Sequence, residues 1–188
     1  INMIKIIGGN FKKTKLQVHE KFVRPTSAIK REAIFSILES YAYKKSLNLY
    51  SNKAILDLYA GSGSVGLEAI SRGMSMGYFF EKETELISIL NKNCLKICNK
   101  KQFKIINNDA KNLFNTNFSL PISIIFIDPP YKKIDINSIL KIVINKKIKN
   151  NDTIIVIETH IDENLSIPIK LKIINKKSYG KTTLLFLN

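Results

Sequence analysis

Asp128-Pro129-Pro130-Tyr131 directly follows the apolar run Ile122-Ser123-Ile124-Ile125-Phe126-Ile127. Two successive prolines fix φ and remove two backbone donors, so the chain leaves the run as a stiff, extended corner. The Asp128 carboxylate and the Pro129 carbonyl then form two fixed hydrogen-bond acceptors. That pair suits one chemical problem. The lone pair of an aromatic amine is delocalised into its ring, which makes the nitrogen a weak nucleophile. Two acceptors that hold the NH2 group let its lone pair turn towards an electrophile, and such alignment supplies much of the rate of a transfer reaction. Asp128 also favours positive charge developing on the nitrogen. Tyr131 offers a flat face on which a base can stack. In a random loop this tetrapeptide is a rigid turn. After a buried strand, a glycine turn and two spaced acids, Asp128, Pro129, Pro130 and Tyr131 are read as catalytic.

The cofactor signals lie upstream. In Asp57-Leu58-Tyr59-Ala60-Gly61-Ser62-Gly63, the glycines let the backbone pass close to a ligand. With Gly66 they formally satisfy a dinucleotide fingerprint, which admits a nicotinamide enzyme. The Asp57 carboxylate tilts the reading. It suits a cationic ligand such as the aminoacyl part of S-adenosylmethionine and is awkward beside a pyrophosphate. Glu81, twenty residues past Gly61, is placed to accept the hydrogen bonds of a ribose. Asp109 either accepts from an adenine amino group or caps the helix that starts at Ala110, whose backbone amide then reads the adenine. The cofactor set is Asp57, Tyr59, Ala60, Gly61, Ser62, Gly63, Glu81, Asp109, Ala110 and Asp128.

These residues need elements to position them. Ile4, Ile6 and Ile7, a Gly8-Gly9-Asn10 turn and Lys15–Val18 read as a hairpin within residues 4–23. Pro25 breaks the chain, Thr26 or Ser27 caps a helix, and Ile34, Ile37, Leu38 and Tyr41 carry helical spacing over 27–43. From Lys53 onward strands and helices alternate. Strands are expected at 54–58, 78–81, 103–106, 122–127 and 153–157. Helices are expected at 65–70, 86–98, just after Asp109 and at 135–149. The tail at 169–187 reads as a hairpin around Ser178-Tyr179-Gly180. Alternation predicts an α/β fold with a mostly parallel sheet, covered by helices, with a final antiparallel edge pair. Residues 1–50 form a small N-terminal appendage and 51–188 the α/β body.

The formal charge of the 188 residues is +15, which attracts polyanions. Only Arg24, Arg31 and Arg72 are arginine among the 30 basic residues, and Lys, Ile and Asn abound together. Part of the surplus therefore reflects compositional drift rather than binding. Lys12, Lys13, Lys15 and Lys21 surround Phe11 and Phe22, a mixture that fits RNA or an ordinary solvated hairpin. Cys94 and Cys98 could share a helix face, but no other Cys/His cluster completes a zinc site, so two reduced thiols and no metal are expected. No apolar run is long enough to span a bilayer and no secretory leader is evident, so a cytoplasmic protein without a membrane partner is expected.

The cofactor and catalytic motifs are similar to those of class I methyltransferases with a (D/N/S)PP(Y/F) motif. Ile6-Ile7-Gly8-Gly9, Arg24-Pro25-Thr26 with Arg31-Glu32 and Phe35, the Asp57–Gly63 turn, Asp128–Tyr131, Ile155–Glu158 and Tyr179-Gly180 occur in that order. Over nearly the whole chain they resemble the bacterial 16S rRNA guanine-N2 methyltransferase family. The resemblance implies a Rossmann-like fold of seven strands, the last antiparallel, with a small N-terminal β-hairpin. It implies S-adenosylmethionine as methyl donor and a guanine N2 amine of small-subunit rRNA as acceptor, on a partly assembled 30S particle, with the protein a monomer. It places Arg24, Thr26 and Arg31 near the active site and, with Lys12, Lys13 and Lys15, towards the RNA. Lysine where relatives use arginine loses the bidentate fork, which puts individual RNA contacts in question. The alternatives are a DNA adenine-N6 or cytosine-N4 methyltransferase and a non-catalytic RNA-binding assembly factor.

Overall fold

In a computed structural model of the chain, the described residues are 2–19, 26–130 and 135–188. A short antiparallel ribbon joins β1 (Asn2–Lys5) to β2 (Lys15–Val18). Helix α1 (Ala28–Lys45) follows, capped by the Ser27 side chain on the Lys30 amide and ended by Ser46 in the left-handed conformation. The α/β body runs through β3 (Ala54–Leu58), α2 (Ser64–Ser71), β4 (Met76–Glu81), α3 (Thr84–Ile97) and β5 (Phe103–Asn107). A 3-10 helix (Ala110–Asn115) leads into β6 (Ile122–Ile127), α4 (Ile136–Asn145), β7 (Ile154–His160), β8 (Ile173–Tyr179) and β9 (Thr182–Leu187).

The seven-stranded sheet has the order β5-β4-β3-β6-β7-β9-β8. The strands from β5 to β7 are parallel to their neighbours, and β9 is antiparallel to both β7 and β8. The expected antiparallel pair exists, but the last strand lies inside the sheet and β8 forms the edge. Composition explains the arrangement. The Leu184-Leu185-Phe186-Leu187 run of β9 is buried on both faces, whereas β8 carries Asn175, Lys176 and Lys177 into solvent. Charged lysines suit an edge strand because they discourage pairing with another chain.

Alternate residues of each strand feed two cores. Ile55, Phe79, Ile124, Phe126, Val156 and Phe186 face one side with Phe35 of α1, Leu67 of α2 and Leu90 of α3. Leu56, Phe80, Ile125, Ile127, Ile155 and Leu185 face the other with Leu113 and with Ile139 and Leu140 of α4. Helices therefore cover both faces, and β3, β4, β6 and β7 are nearly devoid of solvent contact.

The N-terminal ribbon departs from the tight turn expected of Gly8-Gly9-Asn10. The link is longer, closed by the Ile6 amide on the Thr14 carbonyl (3.0 Å) and the Lys13 amide on the Ile6 carbonyl (2.9 Å). The glycines serve a different contact. Gly9 has φ +73, and a Cβ there would lie 1.9 Å from the Ser71 carbonyl oxygen. Buried polar side chains dock the ribbon on the body, Glu68 and Asn93 among them. Glu68 of α2 accepts from the Ile7 amide (2.8 Å) and the Gly8 amide (2.7 Å). Asn93 of α3 exchanges both backbone bonds with Gln17, at 2.8 and 2.9 Å. Helix α4 ends at Asn145, earlier than its apolar periodicity suggests, because Lys147 turns left-handed (φ 52) and the Ile148 amide closes back on the Val143 carbonyl.

Candidate active site

Successive connections carry the chain from β3 outward to β4 and β5, then back across to β6 on the other side of β3. The gap between the ends of β3 and β6 is therefore the switch point of the sheet, where ligands of open α/β folds bind. The carboxyl ends of five adjacent parallel strands each deliver one acid. In sheet order they are Asp109 after β5, Glu81 on β4, Asp57 on β3, Asp128 after β6 and Glu158 on β7.

The glycine turn links β3 to α2. Tyr59 is left-handed (φ 67), as are Gly61 (φ 54) and Gly63 (φ 77). The Ala60 amide donates to the Phe80 carbonyl, and the Gly63 amide closes the turn on the Ala60 carbonyl (2.7 Å). Glu81 is buried and uses both oxygens. One accepts from the Gly61 amide (2.8 Å) and the other from the Glu83 amide (2.9 Å). Asn93, which holds the ribbon, also donates to the Ser62 carbonyl (2.9 Å). One amide side chain thus joins the N-terminal ribbon to the glycine turn.

Asp57 is 2% exposed and accepts from the Gly66 amide (3.0 Å) in the first turn of α2. Gly66 is required there, since a Cβ would meet the Phe79 ring at 2.4 Å and the Asp57 carboxylate at 3.0 Å. Burial pushes the Asp57 carboxyl up to about 7, the Gly66 amide opposes that rise, and the Glu81 charge adds to it. A folded value above the unfolded value of 3.8 means that this group's contribution to stability is complete below about pH 4 and is lost as pH rises through about 7. The difference is on the order of 4 kcal/mol if fully expressed. Asp57→Asn keeps an oxygen for Gly66 and carries no charge. Its stability relative to the wild type should climb between about pH 4 and pH 7 and level off above, in chemical denaturation at a series of pH values. A flat difference across that range would show that Asp57 is not strained by its charge.

The Tyr59 hydroxyl is buried without a hydrogen-bond partner among the described residues. Burial pushes its ionisation up, and the Asp109 charge adds to the rise. Asp109 caps the 3-10 helix, its carboxylate accepting from the Lys111 amide (2.9 Å), and Ala110 is buried behind it.

Asp128 leaves β6 beside this turn, followed by the buried Pro129 and the exposed Pro130. Its carboxyl is held well above the usual range, first by burial and then by the Glu158 charge; Lys30 opposes the rise, Asp57 adds to it, and a hydrogen bond from Thr26 opposes it. The single hydroxyl hydrogen of Thr26 also lies within reach of Glu158 (3.3 Å), and Glu158 receives the ammonium of Lys30. Lys30 and Glu158 are the residues that sequence reasoning left without a role. The available signal was the position of Glu158, an acid near the end of a buried strand like Asp57 and Glu81.

The structure treats the basic residues unequally. Lys12, Lys13 and Lys15 are exposed on the ribbon. Arg31 is 2% exposed, and its guanidinium bonds the carbonyls of Thr26 and Lys5 (2.8 Å for the latter). It is a strut between α1 and the ribbon, with no surface to offer a ligand. Thr26 is also buried. Arg24 and Tyr131 lie outside the described residues. Cys94 and Cys98 are buried thiols. Among the described residues, no group of three or more His, Cys, Asp or Glu side chains could hold a metal ion, and no helix is long and apolar enough to cross a membrane. A cavity of about 560 Å3 lies at the opposite end of β6, lined by Phe114, Phe118, Ile122, Lys146 and Lys147 among others. It touches none of the acids above and is not this site.

The sequence pattern of the family described as conserved hypothetical protein 95 matches residues 4–188. A ribosomal RNA small subunit methyltransferase D of Buchnera aphidicola (subspecies Acyrthosiphon pisum) is 31% identical over 93% of this chain and 87% of its own length. A Rickettsia prowazekii protein described as an uncharacterized methylase is 28% identical over 98% of this chain and 97% of its own. Among solved structures, Escherichia coli yhhF, described as a candidate methyltransferase, superimposes with a TM-score of 0.83 at 24% identity, covering 99% of this chain and 97% of that one.

Proposed function

The chain belongs to the conserved hypothetical protein 95 family, and on that premise we propose that it transfers a methyl group from S-adenosylmethionine to the exocyclic N2 amine of a guanine in small-subunit ribosomal RNA. The observation that carries the proposal is the placement of Asp128 across the switch point from the glycine turn, with acids at the neighbouring strand ends. The residues fit the cofactor. Asp57 beside the turn suits the cationic methionine end, Glu81 the ribose, and Asp109 with the Ala110 amide the adenine. Gly61, Ser62 and Gly63, with Ala60 before them, let the backbone approach closely. The unpartnered Tyr59 hydroxyl is a buried polar atom that a bound ligand can satisfy. When bound, S-adenosylmethionine supplies a methyl group already activated on a sulfonium.

The protein's own residues then orient the acceptor. The Asp128 carboxylate and the Pro129 carbonyl each accept one hydrogen of the guanine amino group, which fixes the direction of the nitrogen lone pair. Asp128 in its charged form also stabilises positive charge on that nitrogen, and the proton is released to water after transfer. Pro130 holds the corner rigid, and Tyr131 is proposed to stack on the base. Lys12, Lys13 and Lys15 are placed to contact RNA phosphates, with Arg24 as a further contact. The buried Thr26 and Arg31 shape the site and the ribbon instead of touching RNA. The Asn93 link gives the ribbon a fixed relation to the glycine turn. The substrate proposed is a partly assembled small-subunit particle, bound by a monomer.

Mass mapping of rRNA nucleosides from cells with and without the protein tests the reading. One N2-methylguanosine in the small-subunit RNA should depend on it, and purified protein should restore that mark on undermethylated particles. Methylation of duplex DNA adenine or cytosine by the same preparation, with rRNA untouched, would replace this reading with the DNA one.

A further inference from the structure

We propose that Lys30 is a positioning residue that favours the charged, hydrogen-bond-accepting form of Asp128, acting through Glu158 and Thr26. The consequence for catalysis rests on the function proposed above; the charge relay itself does not. Lys30 lies in the first turn of α1, in an element remote in sequence from the cofactor motifs, and its ammonium reaches Glu158 near the end of β7. Both side chains are largely withdrawn from solvent, at 14% and 3% exposure. Thr26, just before the helix, donates its one hydroxyl hydrogen to Glu158 and lies beside Asp128. The four side chains form one chain of contacts from Lys30 to the catalytic corner.

The electrostatic problem is specific. Asp128 faces two other carboxylates, Glu158 from β7 and Asp57 from β3, with the Thr26 hydroxyl and the positive charge of Lys30 on α1 acting against them. Like charges sharing a poorly solvated site drive one carboxyl to protonate. A protonated Asp128 presents an O–H on one oxygen and loses the charge that stabilises the nitrogen. The largely buried ammonium on Glu158 offsets part of that anion's repulsion. The cation is also fixed by the fold, since α1 is docked through Arg31 to the Thr26 and Lys5 carbonyls.

Direct titration of the Asp128 carboxyl by carbon-13 NMR, assigned with Asp128→Asn, tests this in the intact protein and needs no activity. Lys30→Met should raise the Asp128 midpoint by roughly one pH unit or more. Lys30→Arg should stay close to the wild type. Lys30→Met combined with Glu158→Gln should return the midpoint towards the wild type, because cation and repelling anion leave together; the double variant also avoids an unpaired buried carboxylate that could unfold the single one. In single-turnover methyl transfer, the acid limb of the Lys30→Met pH profile should move up in step, which is about a tenfold loss at a fixed pH on that limb for each unit. An unchanged midpoint in Lys30→Met overturns the proposal. So does an equal rise in the double variant, which would make Lys30 a packing residue. A rate lowered uniformly at every pH would make it an RNA contact instead. Absence of rRNA methylation by the wild type would sink the proposed function while leaving the titration result standing.

Discussion

Asp128→Ala should lower methyl transfer by on the order of 10²–10³-fold at saturating substrate while leaving S-adenosylmethionine affinity within a few fold. The corner that presents Asp128 is made by Pro129 and Pro130 and does not depend on the carboxylate, so the backbone acceptor at Pro129 survives. What is lost is one of two anchors on the amine and the negative charge beside the developing cation. The cofactor is proposed to rest on Asp57, Glu81 and the glycine turn, which Asp128 does not support by any hydrogen bond among the described residues. Asp128→Asn separates the two contributions. It keeps one acceptor oxygen and the shape but removes the charge, and its NH2 competes with the substrate amine for acceptors; an intermediate loss is expected. Single-turnover rates and calorimetric binding of the cofactor on the same preparations give both numbers. A variant that transfers methyl groups at the wild-type rate would remove Asp128 from the mechanism.

The second large effect concerns stability. Glu68→Ala should destabilise the protein by about 3–5 kcal/mol, the usual cost of breaking a buried charged network on one side. Glu68 is fully buried and serves the Ile7 and Gly8 amides and the Arg72 guanidinium at once. Without it, two part-buried backbone donors lose their acceptor and Arg72 is left with Glu39 alone. At this chain length the loss corresponds to a fall of on the order of 10 °C in melting temperature. Hydrogen exchange at the Ile7 and Gly8 amides discriminates local release of the ribbon from global unfolding. Fast exchange there with a protected sheet would mean that loss of Glu68 frees this part of the ribbon and leaves the body folded. Glu68→Gln retains one acceptor oxygen and should cost less. Unchanged melting in Glu68→Ala would show that the ribbon is held elsewhere.

These predictions bear on how the N-terminal segment relates to the body. The first fifty residues read as an appendage because their hairpin pattern differs from the alternation that follows. In three dimensions the described ones pack on the body. The ribbon is docked on α2 through Glu68 and on α3 through Asn93, and α1 carries Lys30 and Thr26 to the carboxyl edge of the sheet. Asn93 reaches both Gln17 and Ser62, so one side chain ties the ribbon to the glycine turn.

Local chemistry made much of this protein legible in its residues. Buried strands such as 122–127 announce themselves as apolar runs. The glycine turn and the paired prolines announce themselves because glycine frees and proline fixes the backbone locally. Their order along the chain, under the rule of right-handed crossovers, puts the carboxyl ends of the parallel strands on one edge. The tertiary structure decided what depends on partners distant in sequence. It put β9 inside the sheet and β8 at its edge, made Gly9 a contact surface for Ser71, buried Arg31 as a strut and joined Lys30 to Glu158 across 128 residues of chain. A charged side chain carries no local mark of whether it will meet water or an opposite charge, because burial is a property of the packed whole and is fixed only when the elements come together.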